Sequence, residues 1–247
     1  MAAAAFDWVS IPAGTVHRGT PAAGVADVVR RHRDLALPRS YFAKEVPRAQ
    51  IPVLAFEILR VPVTRAQWDG FAADVSHVDP APPGDPDFPM DGVTWVDAVR
   101  FADWVARWTG TRVALPTETQ WERAARGDDA REYPWGDAWD PEAANTAALG
   151  AGDYLPVGSL SRGASPFGVL DLAGNVDEWT RDRYAPYDGA PADVPLVESW
   201  SNDPHVTRGG SFRQDRDLSR CARRHGLYDS YRGAGLRLVR EPSADRH

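Results

Sequence analysis

The sequence predicts an irregular α+β domain with little regular secondary structure, and three observations lead there. Capping signals open three helices of modest length. Short β-prone runs stand apart, broken by Gly, Pro and Asp, and proline-dense stretches between them read as surface loops. The 247 residues are enough to bury a substantial core, and with no repeat or interdomain linker they read as one domain over 1–247.

Taken in order, Trp8–Thr20 (WVSIPAGTVHRGT) and Val53–Val61 read as β-structure. Thr64-Arg65-Ala66-Gln67 is a capping box, in which a hydroxyl and an amide side chain satisfy free N–H groups of a first helical turn. The helix it opens places Trp68, Phe71, Ala72 and Val75 on one face. Asp79–Phe88 is too rich in proline for regular structure. Thr94 with Asp97 opens a second helix, with Ala98, Phe101, Ala102, Val105 and Trp108 inward and Gly110 at its end. Thr117-Glu118-Thr119-Gln120 opens a third, with Trp121, Ala124 and Ala125 inward and Gly127 closing it. Ala185–Pro195 is another loop, and Arg237–Arg240 is β-prone. Ten tryptophans must supply much of the packing.

Composition excludes several function classes. The one cysteine, Cys221, rules out an internal disulfide, a CxxC redox pair and a cysteine-rich zinc or iron–sulfur site. Apolar runs are too short to span a bilayer, and Met1–Val9 lacks the features of a signal peptide, so a cytoplasmic protein without membrane contact is expected. The net charge is −7, yet residues 208–247 carry ten Arg against five Asp/Glu. With 27 Arg and a single Lys, Lys44, in the chain, most of these arginines are expected to be solvated or paired, and nucleic acid is not the expected partner.

An ordered set of motifs then narrows the reading. Trp8–Gly14 (WVSIPAG), Val61–Trp68 (VPVTRAQW), Val93–Ala98 (VTWVDA), Leu115–Gly127 (LPTETQWERAARG), Tyr133–Asp137 (YPWGD), Gly168–Thr180 (GVLDLAGNVDEWT), Arg208–Phe212 (RGGSF) and Gly235–Val239 (GLRLV) follow one another. Each is weak alone; in this order the chain resembles the formylglycine-generating-enzyme, or sulfatase-modifying-factor, family, whose fold is an elaborated C-type-lectin-like domain.

The resemblance implies a chemistry that this chain cannot perform in the family's usual way. Founding members bind copper with two cysteines after "RGGS", a soft pair suited to Cu(I). Here Phe212–Arg220 (FRQDRDLSR) holds no cysteine, and Cys221 falls on a later, structural position, so no copper is expected. Other branches keep the fold. In hercynine oxygenase-like enzymes it is a C-terminal domain, with the iron-binding histidines in a separate helical domain. Another branch is linked to siderophore maturation, and target-binding variable proteins use the stretch after "RGGS" as a ligand-binding face.

The resemblance also implies calcium, held by Asp171, Gly174, Val176 and Glu178, with a second site at Asn145 and Thr146 completed by Asp153. Asp177 stands where the family has a bulky residue and would line a polar cleft. Around it, Trp200, His205, Arg213, Gln214, Asp215, Arg216, Arg224, His225 and Tyr228 form the candidate ligand-binding set, since Arg and Tyr are common at recognition surfaces. The leading expectation is therefore a recognition protein for a protein, peptide or small-molecule ligand. The alternative is an oxidoreductase or tailoring enzyme with a rebuilt cleft, in which His205, His225 and Asp215 would hold non-haem iron.

Overall fold

The computed structural model describes residues 6–191, 204–227 and 234–241. Chain order is β1 (Trp8–Ile11), β2 (Gly14–Arg18), α1 (Val25–Arg31), α2 (Ser40–Ala43), β3 (Ala49–Val53), β4 (Phe56–Leu59), α3 (Arg65–Asp74), α4 (Trp95–Thr109), β5 (Val113–Ala114), α5 (Glu118–Arg126), β6 (Glu178–Arg183), β7 (His205–Arg208), β8 (His225–Leu227), β9 (Gly235–Leu236) and β10 (Val239–Arg240). The strands make three small sheets, ordered β1-β4-β10-β5, β2-β3 and β8-β7-β6-β9. All pairings are antiparallel except β6 with β9.

The helix starts behave as their side chains dictate. Thr64 and Thr117 both accept from the backbone three residues on, while Gln67 and Gln120 reach back to the N-cap N–H. Thr94 caps α4 through Asp97 N, and Gly110 closes it in the left-handed region at φ 66°. One face of α4 (Ala98, Phe101, Ala102, Val105) meets Trp68 and Phe71 of α3, Trp179 of β6, and Leu236 and Leu238. Phe101 stacks on Trp68 with ring centroids 5.6 Å apart. A second core joins Val9, Ile11 and Ile58 to Trp121, Ala124, Val169 and Cys221.

Two expectations need correcting. Trp108 keeps the spacing of the apolar stripe but is 58% exposed, because it sits in the last turn of α4, where its ring meets Phe6 edge-on. The short helices α1 and α2 were not foreseen; at seven and four residues they are too short to show a helical period.

The "RGGS" glycines have a steric reason. Gly209 and Gly210 adopt φ 101° and 72°, and a Cβ on Gly210 would lie 2.9 Å from that of Leu218. Among the described residues no helix is long and apolar enough to cross a membrane.

Thr117→Ala removes the acceptor at the N-terminus of α5 and should lower unfolding free energy by about 1 kcal/mol in chemical denaturation. An unchanged midpoint would show that tertiary contacts alone hold that helix start.

Candidate functional site

Five arginines of the C-terminal segment, Arg208, Arg220, Arg223, Arg224 and Arg237, turn inward. Arg208, at the end of β7, is 1% exposed; its Nη2 donates to Glu122 Oε2 at 2.6 Å and lies 3.1 Å from Glu118 Oε1, both on α5. Its Nη1 donates to the carbonyls of Cys221 and Arg223 at 2.7 and 3.0 Å. Arg224 donates to both oxygens of Glu118 at 2.7 and 3.0 Å, and Tyr187 OH adds a third bond at 3.0 Å. Arg220 takes both oxygens of Glu45 at 2.8 Å and also bonds Glu132. Burial pushes the Glu118 carboxyl up, but Arg224 and Arg208 outweigh it and hold the group below its ordinary range.

This network takes part of the expected ligand-binding set into the interior. Arg224 is an internal strut, 2% exposed. Arg216 pairs with Asp34 at 2.6 Å, Arg213 lies over the Phe212 ring at 4.7 Å, and Gln214 accepts from Ser211 N at 2.9 Å. Asp177 is buried rather than cleft-lining: it accepts from Thr207 Oγ1 at 3.0 Å and Gly210 N at 3.4 Å, and burial pushes its carboxyl up to about 7. Trp200 and Tyr228 lie outside the described residues.

What the fold does bring together is a polar end on β7 and β8. His205 is buried and stacks on Trp95, centroids 3.7 Å apart and rings 11° from parallel. Thr207 pairs with His225 and His205 with Leu227, so alternation puts both histidines on one face of the strand pair. Asp215 lies apart, exposed on the turn after "RGGS". The iron site of His205, His225 and Asp215 is therefore not assembled; among the described residues no three His, Cys, Asp or Glu side chains group to hold a metal. A groove of about 1000 Å³ runs beside Arg181 and Asp182 of β6, lined by residues 51–56, the end of α4 and the start of α5. One of its three carboxylates, Asp182, accepts from Glu118 N at 2.6 Å and caps α5.

The two expected calcium loops differ. Both oxygens of Glu178 accept from Arg237, and Oε2 also accepts from Trp121 Nε1 at 2.8 Å. Asp171 accepts from Gly158 N at 2.6 Å, and burial pushes its carboxyl up to about 6. A cation there would sit beside a guanidinium, so the donor set of Asp171, Gly174, Val176 and Glu178 fits it poorly. At the second loop Asn145 donates from Nδ2 to Asp153 O and Asn175 Oδ1, both at 3.0 Å. That leaves Asn145 Oδ1 and Thr146 Oγ1 buried without a partner. Unpartnered hard oxygens beside the Asp153 loop fit a hard cation.

Reading by motif missed Trp95, quoted only within the Val93–Ala98 motif, and the pair Glu118/Glu122. The i, i+4 spacing of those two carboxylates on a helix with an apolar opposite face was the available signal.

Three small sheets, loops pinned by side chains and a cysteine-free stretch after "RGGS" define a formylglycine-generating-type domain without the thiolate pair. The chain belongs to the family described as sulfatase-modifying factor enzyme 1-like domain, whose model matches residues 2–242. It is 33% identical to the hercynine oxygenase of Mycolicibacterium thermoresistibile over 83% of this chain and 55% of that protein, so it spans about half the length of that relative. Among solved structures, PvdO from Pseudomonas aeruginosa superposes with a TM-score of 0.76 at 26% identity, covering 95% of this chain and 94% of that one. Treponema denticola variable protein 1 gives 0.74 at 18% identity, with 95% of each chain covered, a likeness of fold alone.

Glu122→Gln leaves Arg208 buried with its main counter-charge removed and should cost about 3 kcal/mol of stability. Thermal and urea unfolding check this, and a loss below the effect of a surface Glu→Gln control would show that Glu118 alone neutralises Arg208.

Proposed function

We propose that this chain binds a small ligand at the β7–β8 end and acts as the substrate-binding domain of an oxidative tailoring reaction that does not run on cysteine-held copper. The observation that carries the reading is the chemistry of its one thiol. Cys221 is fully buried, and burial pushes its pKa up to about 12, so at neutral pH it is a protonated thiol sealed from solvent and substrate. The 33% identity to a protein named hercynine oxygenase supports an oxygenase context. The part of that relative beyond the similarity leaves room for an oxidising centre outside this domain. A purely recognising protein fits less well beside an enzyme at this identity.

The ligand would rest against the Trp95–His205 stack, where an aromatic face and an imidazole stand together. Calorimetric titration of hercynine into the purified chain should give saturable binding, weakened about tenfold by Trp95→Ala, the loss of one aromatic contact. Oxygen uptake by the chain alone with added copper would overturn the reading.

We further infer that calcium is held at Asn145, Thr146 and Asp153 rather than at the Asp171–Glu178 loop. The unpartnered Asn145 Oδ1 and Thr146 Oγ1 support this placement. Chelation with EGTA should lower Tm, by the equivalent of about 2–3 kcal/mol when the ion is supplied at a hundred times its Kd. Asn145→Ala should abolish the difference between chelated and calcium-loaded protein, whereas an unaltered EGTA effect would place the ion elsewhere.

A further inference from the structure

We propose that Arg223, Lys44 and His225 form a carboxylate-binding subsite beside the β7–β8 end, with Tyr41 as its wall. The inference deepens the reading of the chain as a small-ligand binder and rests on it.

The starting point is one guanidinium. Arg223 is 2% exposed, and its Nη1 donates to Arg224 O at 2.6 Å. Its Nε and Nη2 are buried and have no hydrogen-bond partner. Those two N–H groups lie along the same edge of the planar group, spaced to meet both oxygens of a carboxylate. Asp217 Oδ2 is 3.7 Å from Nε, beyond hydrogen-bond distance. Other buried arginines (Arg18, Arg65, Arg123, Arg126 and Arg208) leave a lone Nε unpaired; among the described residues Arg223 leaves a whole edge.

The surroundings hold charge of both signs: Asp217 is within ion-pair reach of Nε and Glu45 acts on the guanidinium, while Lys44 adds a cation. Lys44 Nζ and the Arg223 guanidinium carbon both lie over the Tyr41 ring, 5.0 and 5.5 Å from its centroid. Glu45, the carboxylate next to Lys44 in sequence, has both oxygens bonded by Arg220. Burial, then Arg223 and Arg224, pulls the Lys44 ammonium down to about 8. Burial, then Arg223 and Lys44, pulls the His225 imidazole down to about 3. His225 Nδ1 and Tyr184 OH are further buried atoms without a partner.

Unpaired donors and like charges gathered in one place are costly for the folded chain alone. A bound carboxylate removes both costs: its two oxygens complete the Arg223 edge, and its charge offsets Lys44. A flat, two-oxygen anion suits a side-on guanidinium edge better than a tetrahedral one does. Tyr41 is exposed and Lys44 and His225 are half-buried, so a ligand would approach the buried Arg223 from their side.

The experiment titrates succinate, and in parallel inorganic phosphate at matched ionic strength, into the full chain labelled with ¹⁵N, reading arginine Nε–H resonances and Tm. The expected result is saturable movement of one Nε–H signal with succinate, lost in Arg223→Lys, and a Kd about tenfold weaker in Lys44→Ala. Phosphate binding as tight as succinate, no saturation, or equal affinity in both variants would overturn the subsite. Should Arg223→Lys fail to fold, Lys44→Ala decides alone, since that side chain is half-buried. Succinate binding without hercynine binding would keep the subsite and sink the oxygenase reading.

Discussion

The ion pair between Arg208 and the two carboxylates of α5 is the constraint on which the rest of the architecture turns. One guanidinium, sealed from water, ties β7 to Glu118 and Glu122 and also holds the carbonyls of Cys221 and Arg223. Burying such charges is expensive unless their lone pairs and protons find partners, and of the Arg208 donors only Nε goes without. Glu122 accordingly also accepts from Gly19 N and meets Arg126, which ties β2 into the same centre. A shift of α5 by one residue would leave all of these groups without partners, so the network fixes position as much as it adds stability.

That centre explains what the arginine-rich segment is for. Arg208, Arg220, Arg224 and Arg237 each answer a glutamate carried by another part of the chain: Glu122, Glu45, Glu118 and Glu178. They are rods that cross the interior, where a protein with more regular structure would use sheet and helix. The imbalance of +5 between residues 208 and 247 is thus mostly internal and compensated from the N-terminal side. Arg223 meets Asp217 of the same segment at 3.7 Å, and Arg213 stays at the surface.

How much could be read beforehand depended on range. Capping boxes at Thr64 and Thr117 and the closing Gly110 were legible because the chemistry acts over three or four residues. The burial of Cys221 was legible from its motif. Trp108 was not, since spacing says which face a residue occupies and not how far the partner surface extends. The pairs Arg220–Glu45 and Arg237–Glu178, 175 and 59 residues apart, could not be assigned among so many arginines and carboxylates. The same limit hid the inward turn of Arg224 and the alternative partners of Glu178, while the Trp95–His205 stack needed two distant segments to meet.

Strand β10 lies between β4 and β5, with Val239 facing Ile58 on one side and Ala114 on the other. A chain made from its N-terminus therefore carries β4 and β5 for more than a hundred residues before their shared neighbour exists. During that interval both strands present open edges, and the Glu178 carboxylate lacks Arg237. The domain is closed by a keystone that arrives late, so its hazard lies in synthesis and handling by chaperones more than in the finished fold.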